Sequence, residues 1–258
     1  MNLGIYDIGK CGSDLTAEER FKIYKDCGFT HIGFYLDNNY LDVNETYDDL
    51  VKLAHKYGLI IDQVHLDYKS SNMVELSTDN DYLNYIELKI NECKKYGIKH
   101  IVVHSSMGNT PPSISDFVLN KLHIFDKNME DCDTKLCFEN VRVNNNLYKI
   151  MEQNYNNIFI CFDSGHAHCY IDEVNFLNTY KDKIVCTHLH DNFGDKDLHL
   201  VISKGNINWK NISNLLSKTK RQVDYLECFP KRDETLDYDK FVEFVTDAYS
   251  CYKNEFCN

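Results

Sequence analysis

Five of the eleven histidines in this chain fall within two short stretches, FDSGHAH at 162–168 and HLHDNFGDKDLHL at 188–200, interleaved with Asp163, Asp191, Asp195 and Asp197. Imidazole nitrogens and carboxylate oxygens together suit a divalent ion such as Zn, Mn, Fe or Co, and the same groups move protons in acid–base catalysis. Other ionisable residues close apolar runs elsewhere: His65 in QVHLD, His104 in VVHSS, Glu139 in CFEN and Glu227 in LECF. Two carboxylates buried near each other are costly unless a cation or a proton compensates them. With Asp163 and His188 added to Glu139 and Glu227, a divalent metal is the natural compensator. His31, His55, His100 and His123 stand alone and are read as hydrogen-bonded structural residues.

These residues need a scaffold that brings distant segments together. Three segments rhyme: YKDCGFTHIGFYL from Tyr24, AHKYGLIIDQVHL from Ala54 and CKKYGIKHIVVHS from Cys93. In each, a helical end meets a glycine (Gly28, Gly58, Gly97) suited to the left-handed residue that stops a helix, and an apolar run follows. Such runs fit strands covered on both faces, as in a parallel sheet. Extending the pattern predicts strands at Leu3–Tyr6, His31–Tyr35, Ile60–Leu66, His100–His104, Lys135–Glu139, Ile158–Phe162, Ile184–His190 and Gln222–Glu227. Helices are expected at Ala17–Cys27, Tyr47–Tyr57, Asp81–Tyr96, Ser113–Met129, Asn175–Lys181, Trp209–Ser217 and Asp239–Tyr249. Eight alternating units predict an α/β fold, one (β/α)8 barrel over residues 1–258, with a doubly wound open sheet as the alternative. In a barrel the C-terminal strand ends form one mouth, and His65, His104, Glu139, Asp163, His188 and Glu227 all stand at such ends.

Composition narrows the partners. The net charge of −12 disfavours a general affinity for nucleic acid or an anionic membrane, both of which call for a basic surface. The best basic clusters are 217–221, SKTKR, and the pair Lys231 and Arg232. Eleven cysteines, Cys11 among them, include no CxxC pair and often lie in apolar runs, where the thiol acts as a small hydrophobe. They are read as reduced thiols of a cytoplasmic protein. The start, MNLGIYDIGK, is not that of a signal peptide, and no apolar run approaches bilayer-spanning length.

CFEN, FDSGHAH, THLHDNFGDKDLH, GNINW and LECF, in that order, resemble the xylose isomerase-like barrel superfamily. That group includes sugar phosphate isomerase/epimerase-like proteins, ketose 3-epimerases and the endonuclease IV branch. The resemblance covers nearly the whole chain. It implies a shared metal held by Glu139, Asp163, His188 and Glu227, with the two glutamates also serving as acid and base. By likeness to the endonuclease branch it further implies that His65, His104, His166, Asp197 and His199 hold additional ions, with Zn or Mn as the metal. Dimers and tetramers are common in the group. One departure is Lys204 in Ser203-Lys204-Gly205, where an acid is usual. It is read as an exposed loop lysine or as a contact to an anionic group of the substrate.

The first expectation is therefore a metal-dependent isomerase or epimerase of a small sugar or sugar phosphate. Glu139 and Glu227 would transfer a carbon-bound proton through an enediolate, with His104 or His166 hydrogen-bonding substrate hydroxyls. The alternative is a multi-zinc phosphodiesterase acting on abasic DNA, which the ligand set favours and the charge balance opposes. A third reading, a binding barrel with vestigial ligands, is opposed by the completeness of the ionisable set.

Overall fold

The computed structural model describes residues 2–9, 12–36, 46–67, 81–231 and 234–257. Lys10, Cys11 and Arg232 lie outside the described residues. Strands β1 (Asn2–Tyr6), β2 (His31–Leu36), β3 (Ile60–Leu66), β4 (His100–His104), β5 (Lys135–Glu139), β6 (Ile158–Asp163), β7 (Ile184–His188) and β8 (Val223–Leu226) form one sheet. Its order is β7-β6-β5-β4-β3-β2-β1-β8, and every ladder is parallel. The ends of that order meet just beyond β7. Leu189 N donates to Tyr225 O at 2.8 Å and Glu227 N donates to Leu189 O at 3.1 Å, which closes the barrel. The predicted (β/α)8 architecture is the one observed, and the open doubly wound sheet is not.

Between the strands run α1 (Ala17–Cys27), α2 (Tyr47–Lys56), α3 (Asp81–Tyr96), α4 (Asp116–Asn128), α5 (Asn145–Met151), α6 (Ser164–Tyr170), α7 (Glu173–Tyr180), α8 (Trp209–Leu216) and α9 (Tyr238–Phe256). Local chemistry sets their ends. Thr16 caps α1 in a reciprocal box with Glu19, and Gly28, Gly58 and Gly97 all have positive φ at the expected helix stops. Helix α4 starts three residues later than expected, because the Ser115 hydroxyl accepts from Val118 N and so marks the first turn. Strand β7 ends at His188 rather than at residue 190, since Leu189 turns to pair with β8. No described helix is long and apolar enough to cross a membrane.

A large apolar core lies between sheet and helices, with Phe21, Ile32, Leu122, Phe138, Ile160, Leu216 and Phe241 among its members. The barrel interior is filled differently. Tyr6, Tyr35, Val223 and Tyr225 pack together on the β8–β1–β2 side, and Val102, Cys137, Cys161 and Cys186 form a layer across β4 to β7. Each of these four small residues stands two positions before a polar residue of the mouth: His104, Glu139, Asp163 and His188. Side chains two apart on a strand share a face, so the thiol layer is the floor of the site. One buried ion pair ties helix to barrel. Arg20 of α1 donates to both carboxylate oxygens of Asp7, at 2.8 and 3.0 Å, and Tyr24 OH donates to the same group at 3.1 Å.

Candidate metal centre

At the mouth, strand register sets the first geometry. His104 pairs with Glu139 across β4–β5, and Asp163 with His188 across β6–β7. His65 comes from the end of β3, and Glu227 follows β8. Asp163 plays a second part as the N-cap of α6, accepting from His166 N at 2.6 Å, which brings the His166 ring to the mouth. Asp197 and His199 arrive on a small hairpin closed by reciprocal Asp191–Leu200 backbone bonds of 2.8 and 2.9 Å. Asp191 also anchors the segment beyond: its carboxylate accepts from Ile207 N at 3.2 Å and from Trp209 Nε1 at 2.8 Å. That contact gives the GNINW motif a physical reason. A Cβ on Gly205 would lie 2.2 Å from Asn192 O.

All nine histidine and carboxylate ligands expected from the sequence converge. Glu139 is central. Its Oε2 lies 3.0 Å from His65 Nε2 and 3.1 Å from His104 Nε2, and its Oε1 lies 3.2 Å from His188 Nδ1 and 3.4 Å from His166 Nδ1. His188 Nδ1 is also 3.4 Å from Glu227 Oε2. His166 Nε2 and His199 Nε2 face Asp197 Oδ2 at 3.1 and 3.2 Å. Donor atoms within 4.8 Å of one another define several sets, among them His65-His104-Glu139, Glu139-Asp163-His188-Glu227 and His166-Asp197-His199.

The outer ring nitrogens reveal what the inner ones are for. His65 Nδ1 meets Leu66 O at 2.6 Å, and His199 Nδ1 meets Glu227 O at 2.8 Å. A carbonyl oxygen only accepts, so these nitrogens carry the protons. In a neutral ring the other nitrogen then presents a lone pair to Glu139 or Asp197, which is a lone pair facing a carboxylate. Only an added proton or a cation makes that arrangement favourable, and a ring whose far N–H is held by a backbone carbonyl is oriented as metal-ligating histidines are. The donor chemistry therefore fits a divalent ion.

Electrostatics carry the same message. Burial would raise the pKa of Glu139, yet His188 and His104 hold it well below the usual range. Glu227 is also lowered against its burial, by His188 and His199. Burial pulls His188 and His199 down, but their carboxylate partners push both up to about 9. Four carboxylates, Glu139, Asp163, Asp197 and Glu227, crowd the site, an arrangement that protonated imidazoles or a bound cation would compensate.

Several participants were not foreseen. His190 Nε2 lies 3.0 Å from Asp163 Oδ2, and its ring stacks on His199 with centroids 3.9 Å apart. Its buried Nδ1 has no partner among the described residues. The alternation H-x-H, which puts residues 188 and 190 on one side, was the available signal. Gly165 makes room for that ring, since a Cβ there would fall 2.0 Å from His190 Cε1. Tyr35 OH donates to Glu227 Oε1 at 2.5 Å, and Tyr6 OH is 3.1 Å from His188 Nε2. Both tyrosines sit in apolar strands and read as core.

Lys204 is a correction. It does not line the mouth; its half-exposed ammonium pairs with Asp247 of α9 at 3.0 Å. The four lone histidines stay out of the site as expected. His31 bonds Thr30 Oγ1 at 2.8 Å, His100 opens β4 at the far end of the barrel, His123 packs on Tyr155, and His55 is exposed on α2.

Above the ligands opens a cavity of about 490 Å³, a size suited to a small molecule. His65, His104, Glu139, His166, Asp197, His199 and Glu227 form its base, and Tyr35, Asn109, Arg142, Tyr170 and Phe229 are among its walls.

Residues 21–247 match a family model described as xylose isomerase-like TIM barrel. An uncharacterized protein, y4fM of Sinorhizobium fredii, is 23% identical over 235 residues, covering 76% of each chain. A solved D-psicose 3-epimerase, in the presence of D-fructose, is similar with a TM-score of 0.78 over 100% of both chains at 15% identity. The IOLI protein with a bound zinc atom gives 0.76 over 99% and 98% at 17% identity. L-ribulose 3-epimerase gives 0.74 over 99% and 95% at 16% identity. At such identities the shared property is the fold.

Proposed function

This chain belongs to the xylose isomerase-like TIM barrel family, and from that premise we propose that it is a divalent-metal-dependent isomerase or epimerase of a small sugar or sugar phosphate. The observation that carries the proposal is the set Glu139-Asp163-His188-Glu227, two glutamates flanking one buried imidazole at the base of a small-molecule cavity. Glu139, Asp163, His188 and Glu227 would hold the ion. Bound there, it supplies Lewis acidity to adjacent substrate oxygens, and several ions together can clamp a phosphoryl group.

The side chains supply the rest. Glu227 has one oxygen toward His188 and the other held by the Tyr35 hydroxyl, so a phenol stands ready to share a proton with the carboxylate that takes one from carbon. Glu139 is the second proton carrier, its Oε1 meeting the same His188 Nδ1 at 3.2 Å. His104 and His166 line the cavity, with His104 Nε2 turned to Glu139 and both His166 nitrogens engaged by Glu139, Asn140 O and Asp197, so they border the substrate's hydroxyls and orient the glutamate. Ten described cysteines are free thiols, in accord with a reducing compartment. The test is solvent-deuterium incorporation into a panel of ketoses and ketose phosphates by the metal-loaded protein. Exchange at one substrate carbon supports the proposal; none across the panel overturns it.

A second reading, hydrolysis of a phosphodiester, has its own support. Both oxygens of Glu139 already face imidazoles, His65 and His104 on one and His166 and His188 on the other, as befits a carboxylate shared between two ions. Three metal ions per chain by elemental analysis, with cleavage of an abasic-site oligonucleotide, would replace the first reading by the second.

A further inference from the structure

The cavity lined by acids and imidazoles at its base has one strongly basic side chain on its wall. Among the described residues lining it, Arg142 is the only lysine or arginine. Its Nη1 donates to Asn109 Oδ1 at 2.6 Å, its Nη2 donates to Tyr170 OH at 2.9 Å, and the guanidinium lies 4.7 Å over the Tyr170 ring. Arg142 stands in the β5–α5 connection, and its two partners come from the β4–α4 connection and the end of α6. Both partners are neutral, and no described carboxylate forms an ion pair with Arg142. The fork is thus held in place without its charge being cancelled, and it keeps N–H donors beyond the two engaged.

An arrangement of this kind has a cost. Four carboxylates lie deeper in the same mouth, and a cation near them would ordinarily be captured as an ion pair. Asn109 and Tyr170 instead hold the guanidinium at the exposed rim. We infer that Arg142 is a specificity-determining residue that binds the phosphate of a sugar-phosphate substrate while the other end of the chain reaches the ligand cluster. This rests on the sugar-isomerase reading and deepens it by naming the phosphorylated class. A planar fork matches the oxygens of a phosphate monoester in a way that a lone ammonium does not. It also moves the anion contact from Lys204, whose charge Asp247 takes up.

Binding measured by titration calorimetry on the metal-loaded protein tests the inference without turnover. The probes are ribitol 5-phosphate and ribitol, which have no carbonyl to react. The wild type should bind the phosphorylated probe at least about 10-fold more tightly, and Arg142→Gln should abolish that preference, a loss of about 10- to 100-fold for the phosphate alone. Arg142→Lys should recover part of it, and Lys204→Ala should change nothing. Arg142 is exposed, and circular dichroism of the variant checks that it folds. Equal binding of the two probes by the wild type, or a preference that survives in Arg142→Gln, overturns the inference. Metal content measured on the same samples separates the failures. A metal-replete protein with no phosphate preference sinks the role of Arg142 alone. A metal-free protein that still prefers the phosphate sinks the metal reading alone.

Discussion

Glu139 and Glu227 are both buried and both offered to His188, but they are not equivalent. Glu139 meets four imidazoles, Glu227 meets two imidazoles and a tyrosine hydroxyl. Either Glu→Gln change should abolish turnover with the fold retained. Both variants should also lose metal, since Glu139 belongs to two of the candidate ligand sets and Glu227 to three, as elemental analysis of dialysed protein will show. Turnover unchanged in either variant removes that glutamate from the mechanism. At this scale the sequence was informative wherever chemistry and position coincided, since an acid or histidine that ends an apolar run has few other reasons to be there. It was uninformative for Tyr35 and Tyr6, because a tyrosine in a strand looks the same whether its hydroxyl faces solvent or a carboxylate. At Lys204 it left two readings open, an exposed loop lysine and an anion contact, since a charge in a loop carries no mark of its direction, and the exposed one is what the structure shows. Arg142 passed unnoticed for the same reason.

Elements were legible where periodicity was long and punctuation strong. The eight strands were found to within a residue or two, and α1, bounded by Thr16 and Gly28, was found in full. Helix α6 was not among the expected helices, because its seven residues, SGHAHCY, begin inside the functional motif and are too few to show a period; Asp163 caps it. The attachment of α1 to β1 is a prediction at this scale. Asp7→Asn removes the buried carboxylate that Arg20 meets at 2.8 Å and should cost about 3–5 kcal/mol in urea denaturation, with ligand geometry and metal content unchanged. Strand β4 makes another. Burial lowers the pKa of His100 to about 4, below an unfolded value of about 6.5. A depressed histidine pKa means the unfolded chain takes up the proton first, so its contribution to stability is lost as pH falls from about 6.5 toward 4. His100→Gln should therefore show a smaller drop in melting temperature over that interval than the wild type; an equal drop assigns the acid lability to other groups.

The whole molecule is organised as a barrel whose two halves differ inside: tyrosines fill the β8–β1–β2 side, and thiols and a valine fill the floor beneath His104, Glu139, Asp163 and His188. Closure through Leu189 draws residues from sequence positions 65 to 227 to one point, so the mouth exists only when the barrel does. Binding at that point should accordingly stabilise everything. Metal at about 100 times its dissociation constant should add about 2.7 kcal/mol to global unfolding, and a chelator should remove it, read as a fall in the single melting transition. No difference between chelated and metal-loaded protein would mean that the ligand cluster is satisfied by protons alone.

The two faces of Glu139 have one more consequence. Because a single carboxylate belongs to two neighbouring ligand sets, filling one pre-positions, and partly neutralises, a donor of the other. Uptake should then proceed as an ordered sequence with unequal steps rather than as independent equilibria, and a titration followed by heat release should show distinct inflections that merge once residue 139 is made neutral.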